Sequence, residues 1–196
     1  MSTISPGAED ALLIIDVQND FLPGGALAVP DGNHVIAPLN HLAKLGFGCV
    51  VATQDWHPID HMSFVEQGGP WPPHCRQSTY GAALASALNQ APIGYVIRKG
   101  REAECDSYSA FFDNDGEKTT GLDGLLRALA VKRVFIGGLA TEYCVAATAR
   151  DAQRLGLKTY IIEDAVQGIA RDISTTIKKL STLGIRFIAS DFIGDA

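Results

Sequence analysis

Six short apolar runs, separated by stretches with helical spacing, constrain this chain more than any other feature. They are "ALLIID" at 11–16, "CVVAT" at 49–53, "YVIRK" at 95–99, "RVFIGG" at 133–138, "KTYIIED" at 158–164 and "IRFIAS" at 185–190. Each is strand-sized and too short to span a bilayer. After the first run, Val35, Ile36, Leu39, Leu42 and Leu45 recur at helical spacing before Gly46, with Pro38 tolerable only near the first turn. Val145, Ala149, Ala152 and Leu155 do the same before Gly156. Ile173, Ile177 and Leu180 follow a capping Asp172 and end at Gly184. Strand alternating with helix predicts an α/β fold, a doubly wound, mainly parallel six-stranded sheet with helices on both faces in a Rossmann-like three-layer arrangement. Strands that are apolar throughout suit a sheet covered on both sides. The 196 residues fit one domain, 1–196, with no repeat, linker or low-complexity tract. A Pro/Gly-rich insertion at about 54–78 is longer than most connections, and such loops are often functional.

Charge narrows the partners. The net charge is -6 and there is no basic run, so neither nucleic acid nor an anionic membrane is an expected partner. The stretch "MSTISPGAED" has no positive n-region and no long apolar segment, so no signal peptide is visible and a cytoplasmic location is expected. Cys49, Cys75, Cys105 and Cys144 form no C-x-x-C pair, and a chain of this size does not need disulfides. Cys49, in "GFGCVVAT", reads as a small core residue.

In open α/β sheets, ligands bind at the carboxyl ends of the strands. Here those ends carry Asp16, the pair Asp55 and His57, Lys99, and the turn leading to Cys144. Taken singly, each has an ordinary explanation as a capping Asp, a solvated Lys or a buried Cys. Their convergence on one edge points to a site. A thiol in the first turn of a helix sits at the positive end of the macrodipole, which favours thiolate. The turn "GGLATEYC" can leave backbone N–H groups free to form an oxyanion hole. No His lies in the adjacent motif, so Asp16 is the candidate base, with Lys99 beside it holding the carboxylate.

The stretch "QDWHPIDH" at 54–61 raises metal binding. Asp55 and His57 can share one ion if the loop is extended, although D-x-H alone is a weak motif. A third ligand should come from the same insertion. His61 in "DHMSF" and His74 in "GGPWPPHC" are the choices, and the prolines around His74 stiffen its backbone. Cys75 is a sulfur alternative by spacing. Mixed nitrogen and oxygen donors fit zinc, iron(II) or manganese. His34 and His41, in or beside the first helix, read as surface or packing residues.

Six motifs in order, "IIDVQNDFLPGGAL", "TQDWHPIDHMSF", "GGPWPPHC", "RKG", "DSYSAFFD" and "GLATEYCV", resemble the nicotinamidase branch of the isochorismatase-like (cysteine hydrolase) superfamily over about residues 11–170. The resemblance implies a catalytic triad of Asp16, Lys99 and Cys144, and metal ligands Asp55, His57 and His74. His61 matches a position that ligates in some members only. Phe21, Trp71 and Tyr108 match pocket-lining aromatics. The Leu139–Ala140 bond matches a cis peptide that would aim the Ala140 N–H, together with that of Cys144, at the substrate oxygen. One divalent metal is implied, zinc first, with iron or manganese as alternatives. The implied reaction hydrolyses nicotinamide, and pyrazinamide-like analogues, to the acid and ammonia through a thioester, as in NAD salvage. A homo-oligomer is compatible with this. Two competing readings stand beside it: another isochorismatase-like hydrolase acting on a different small amide, and a non-catalytic α/β protein with a structural metal.

Overall fold

A computed structural model describes residues 3–170 and 172–194. Six strands, β1 (Asp10–Ile15), β2 (Cys49–Asp55), β3 (Tyr95–Lys99), β4 (Arg133–Leu139), β5 (Lys158–Gln167) and β6 (Arg186–Ile188), pair in the order β3-β2-β1-β4-β5-β6. Every pairing is parallel, so the expected mainly parallel sheet is wholly parallel among these strands. From β1 the chain builds outward to β3, then returns to the other side of β1 to lay down β4. The crevice at that switch point is where such sheets take their ligands.

Side-chain alternation explains why both faces are covered. In β1, Leu12 and Ile14 join Val50, Ala52, Phe135, Tyr160 and Ile162 in one core. Ala11, Leu13 and Ile15 point the other way and join Val51, Val134, Ile136 and Ile161. The first core is roofed by Leu39 and Leu42 of α1 (Ile36–Leu42), and by Ala82, Ala85 and Leu88 from the connection between β2 and β3. The second is roofed by Leu122 and Leu126 of α2 (Leu122–Ala128), Ala149 and Ala152 of α3 (Ala146–Arg154), and Leu180 of α4 (Ser174–Thr182). Each fully buried aliphatic side chain contributes about 1.5–3 kcal/mol. Truncating one at the sheet centre, as in Leu12→Ala, costs about 2–5 kcal/mol because a cavity is left behind.

The elements depart from expectation where local signals compete. The first helix is shorter than its apolar spacing implies. A tight turn over Gly32–Val35 precedes α1, which puts Pro38 in the first turn of α1. Helix α2 was not anticipated; its buried face is only Leu122 and Leu126, too little periodicity to stand out. Helix α4 begins one residue later than expected, with Ile173 at its N-cap position, and Asp172 stands just before it with Oδ1 accepting the Ser174 N–H at 2.8 Å. The connection from 56 to 94 is irregular apart from a single turn over Val65–Gln67, so the insertion is longer than expected. All four cysteines are free, and Cys49 is buried in the second core.

Candidate active site

The carboxyl ends of β1, β2, β3 and β4 bring the expected side chains together. Asp16 follows β1 with φ at +49°, in the left-handed region. Thr53 of β2 fixes it twice: Thr53 Oγ1 accepts the Asp16 N–H at 3.0 Å and donates to Asp16 Oδ1 at 2.6 Å. Asp16 Oδ2 lies 2.8 Å from Lys99 Nζ, and both side chains are fully buried. The same ammonium donates to Asp55 Oδ1 at 2.5 Å, to the Ser107 carbonyl at 3.0 Å and to Cys144 Sγ at 3.4 Å. Oxygens of Asp16 and Asp55 and the Cys144 sulfur lie within 4.8 Å of one another.

The electrostatics follow from one cation between two buried carboxylates. Burial works against the Lys99 ammonium, but Asp16 and Asp55 outweigh it, so its pKa is raised well above the usual value and it stays charged. The two acids divide. Burial pushes Asp16 up despite Lys99. Asp55 is also penalised by burial, yet Lys99 and His57 hold it well below the usual carboxylate range. Cys144 stands in the segment that leads directly into α3. It sits not in the first turn of α3 but in a widened turn before it, Thr141–Val145, where the Val145 N–H reaches back to the Ala140 carbonyl at 3.3 Å. Burial outweighs Lys99 and pushes the thiol well above its ordinary value. The resting group is a thiol, and it needs a base beside it. The Leu139–Ala140 peptide is cis.

The insertion supplies the second half of the site. One donor atom each from Asp55, His57 and His74 lies within 4.8 Å of the others, and all three residues are buried. The Nδ1–H of His57 donates to the Gly100 carbonyl and that of His74 to the Pro72 carbonyl, each at 2.8 Å. A carbonyl only accepts, so each imidazole keeps its Nε2 lone pair for a ligand. This donor set fits a divalent metal, with each ring oriented by a backbone partner. His61 is arranged differently. Its Nε2–H donates to the Cys105 carbonyl at 3.2 Å, and its Nδ1 accepts from Ser63 Oγ at 2.7 Å. Both nitrogens are engaged, while the ring stacks on His57 at 4.0 Å between centroids. His61 also approaches His57 and Asp106 closely enough to form a second possible donor group. Cys75 is fully buried in the first core, apart from the metal donors, and its N–H donates to Asp20 Oδ2 at 2.7 Å. His34 and His41 are exposed, as expected.

Between the two halves lies a recess of about 410 Å³, including its open mouth. Phe21, Trp71 and Tyr108 line it, together with Asp55, His74, Ala140 and Cys144. Trp71 Nε1 donates to the Tyr108 hydroxyl at 3.2 Å, which locks the two rings in register. Sequence reasoning missed Tyr143, which packs edge-on against Trp71 and Tyr108 at 5.2 and 5.7 Å. It also missed Leu27, Val29, Asp106 and Ile169 in the lining, and Thr53 and Gly100 behind it. Position 143 stands beside the nucleophile in "TEYC", and Leu27, Thr53, Gly100 and Asp106 lie at the ends of quoted motifs; only Val29 and Ile169 carry no motif signal. Aromatic walls, two of the metal-sized donor set and the nucleophile candidate Cys144 line one recess, with Asp16 and Lys99 behind the thiol.

The chain is similar in sequence and fold to known proteins. The model of the isochorismatase domain matches residues 10–191. The nicotinamidase of Escherichia coli is 42% identical over 177 residues, covering 81% of this chain and 83% of its own. The structure of PnC1 from L. infantum in complex with nicotinate superposes with a TM-score of 0.95 at 40% identity, over 97% of this chain and 98% of that one. The pyrazinamidase of Pyrococcus horikoshii in complex with zinc gives 0.83 at 42% identity, over 92% and 99%.

Proposed function

The chain belongs to the isochorismatase domain family, and from that membership we propose that it is a nicotinamidase, hydrolysing nicotinamide to nicotinic acid and ammonia. The observation that carries the reading is the Lys99 ammonium, 2.8 Å from Asp16 Oδ2 and 3.4 Å from the sulfur of Cys144, which lines the aromatic recess. A buried thiol with a raised pKa is a poor nucleophile unless its proton can leave in the same step. Asp16 is the group placed to take it.

In this mechanism the substrate ring enters between Phe21, Trp71 and Tyr108. Asp55, His57 and His74 would hold a divalent ion, for which we propose zinc, and the ion would supply Lewis-acid chemistry to the recess. Asp16 takes the Cys144 proton as Sγ attacks the carboxamide carbon. The N–H groups of Ala140 and Cys144 stabilise the oxygen as it gains charge. Protonated Asp16 then gives its proton to the amide nitrogen, the C–N bond breaks and ammonia leaves. A thioester on Cys144 remains. Asp16 next accepts a proton from water as that water attacks the thioester, and the acid departs with Cys144 restored as a thiol. Lys99 keeps its charge throughout and holds Asp16 in place. Pyrazinamide, a diazine with the same carboxamide, presents the same groups and is a second substrate under this reading.

The test is ammonia release from nicotinamide by the metal-loaded protein, with Cys144→Ala as its control. Turnover in the parent and none in the variant is the expected result. A variant with full activity would remove Cys144 from the mechanism. An inactive, fully metallated parent would favour a different small amide.

A further inference from the structure

Part of the apolar pocket wall is carried by the segment that follows β5, and Glu142 ties that segment to the turn bearing the nucleophile. Glu142 stands two residues before Cys144. Its Oε1 accepts the Ala170 N–H at 2.7 Å. Its other oxygen lies under Gly168, where an added Cβ would sit 2.6 Å from Glu142 Oε2 and 2.9 Å from Ile173 Cγ2. Only glycine lets the carboxylate pack this closely beneath the chain. Ile169 lies between these two contacts. It lines the recess with Leu27 and Val29 and packs against the first core. The carboxylate therefore brackets Ile169 from both sides in sequence, through a charge-assisted hydrogen bond on one side and close packing on the other.

We propose that Glu142 is a positioning residue that sets Ile169 against the substrate ring and so determines how tightly, and how selectively by size, the recess holds it. The inference rests on the reading of the site as one for a flat aromatic amide. Glu142 touches no reacting atom. Its removal leaves Asp16, Lys99 and Cys144 with their own partners and frees only the wall. The effect then falls on ground-state binding, which raises KM with little change in kcat.

The test combines steady-state kinetics with amide hydrogen exchange. Substrates are nicotinamide and a nicotinamide carrying an extra ring methyl. Glu142→Ala should raise KM for nicotinamide by roughly three- to tenfold, with kcat nearly unchanged, and weaken the preference for the unsubstituted ring. Glu142→Gln keeps an oxygen for Ala170 and should restore both parameters. Ile169→Ala should reproduce the KM rise with the bond to Ala170 intact. Adding Glu142→Ala to it should change little more, because the two act through one contact. Exchange at the Ala170 amide should accelerate in Glu142→Ala and not in Glu142→Gln. Unchanged KM and preference in Glu142→Ala, failure of Glu142→Gln to rescue, or additive effects in the double variant would overturn the proposal. A parent that releases no ammonia overturns the reading of the reaction. An Ala170 amide that exchanges equally fast in parent and Glu142→Ala overturns the role of Glu142 alone.

Discussion

Asp16 and Asp55, from neighbouring strands, share a single ammonium: Lys99 Nζ is 2.8 Å from one and 2.5 Å from the other. The proposed proton shuttle and one member of the candidate metal donor set thereby share the same cation. Coulomb attraction to one charge cannot fully satisfy two buried carboxylates, so one is pushed up and the other down.

Lys99→Met should remove activity and also destabilise the fold. It leaves two buried carboxylates without their counter-charge, a change that costs about 3–5 kcal/mol for a broken buried pair. Urea denaturation of the metal-free variant measures it. A loss below about 1 kcal/mol would mean that the carboxylates find another partner.

Thr53→Val should lower kcat by roughly tenfold and leave KM nearly as it was. The hydroxyl makes two bonds to Asp16, and each buried hydrogen bond lost is worth about 1–3 kcal/mol. Both hold the base rather than the ring. A rise in KM alone, measured on nicotinamide, would contradict the assignment.

Metal affinity should respond to Gly100 and His57 and far less to His61. Gly100 has φ at +60°, and a Cβ there would lie 2.4 Å from His57 Cε1. Gly100→Ala should therefore displace the imidazole and weaken metal binding by about 10–100-fold. His57→Ala should purify without metal. His61→Asn should keep a full complement, since both ring nitrogens of His61 already serve Cys105 and Ser63. Elemental analysis of the three variants decides the matter; an empty His61→Asn protein would make His61 a ligand.

The pH profile of kcat/KM should have an acid limb set by Asp16 and an alkaline limb set by Cys144. The mechanism needs Asp16 ionised and Cys144 as a thiol. Burial raises the Asp16 carboxyl above the ordinary carboxylate range, so activity is lost as pH falls through that raised value. Cys144 is raised above 9.0, so activity is lost only on the alkaline side of that. Profiles recorded at saturating metal test this. Activity rising with a midpoint between about pH 7 and 8.5 would indicate that a preformed thiolate is required.

The sheet and most of the site were legible because their signals are local. Strand runs such as "YVIRK" coincide with β3 at Tyr95–Lys99, and residues at strand ends fall at one edge by topology alone. What was illegible depends on contacts distant in sequence. Thr53 faces Asp16 only because β1 and β2 pair in one register, Leu13 against Val51 and Ile14 against Ala52. Gly100 matters through a carbonyl, which no side-chain pattern reports. Burial of the whole turn, which pushes the Cys144 thiol up, is likewise invisible in the local pattern around "TEYC". His61 stands as a possible ligand in the sequence; both of its ring nitrogens have hydrogen-bond partners, and it also lies in a possible donor group with His57 and Asp106.

The strand order has a thermodynamic consequence. Asp16, Asp55 and Lys99 belong to the β1–β3 side of the switch point, whereas Ala140, Cys144 and Ile169 belong to the β4–β6 side. A ring lodged between them touches both halves of the sheet at once. Whatever fills the recess is therefore also a brace for the folded chain, and occupancy shifts the unfolding equilibrium by mass action. At a hundredfold excess over Kd that shift is about 2.7 kcal/mol.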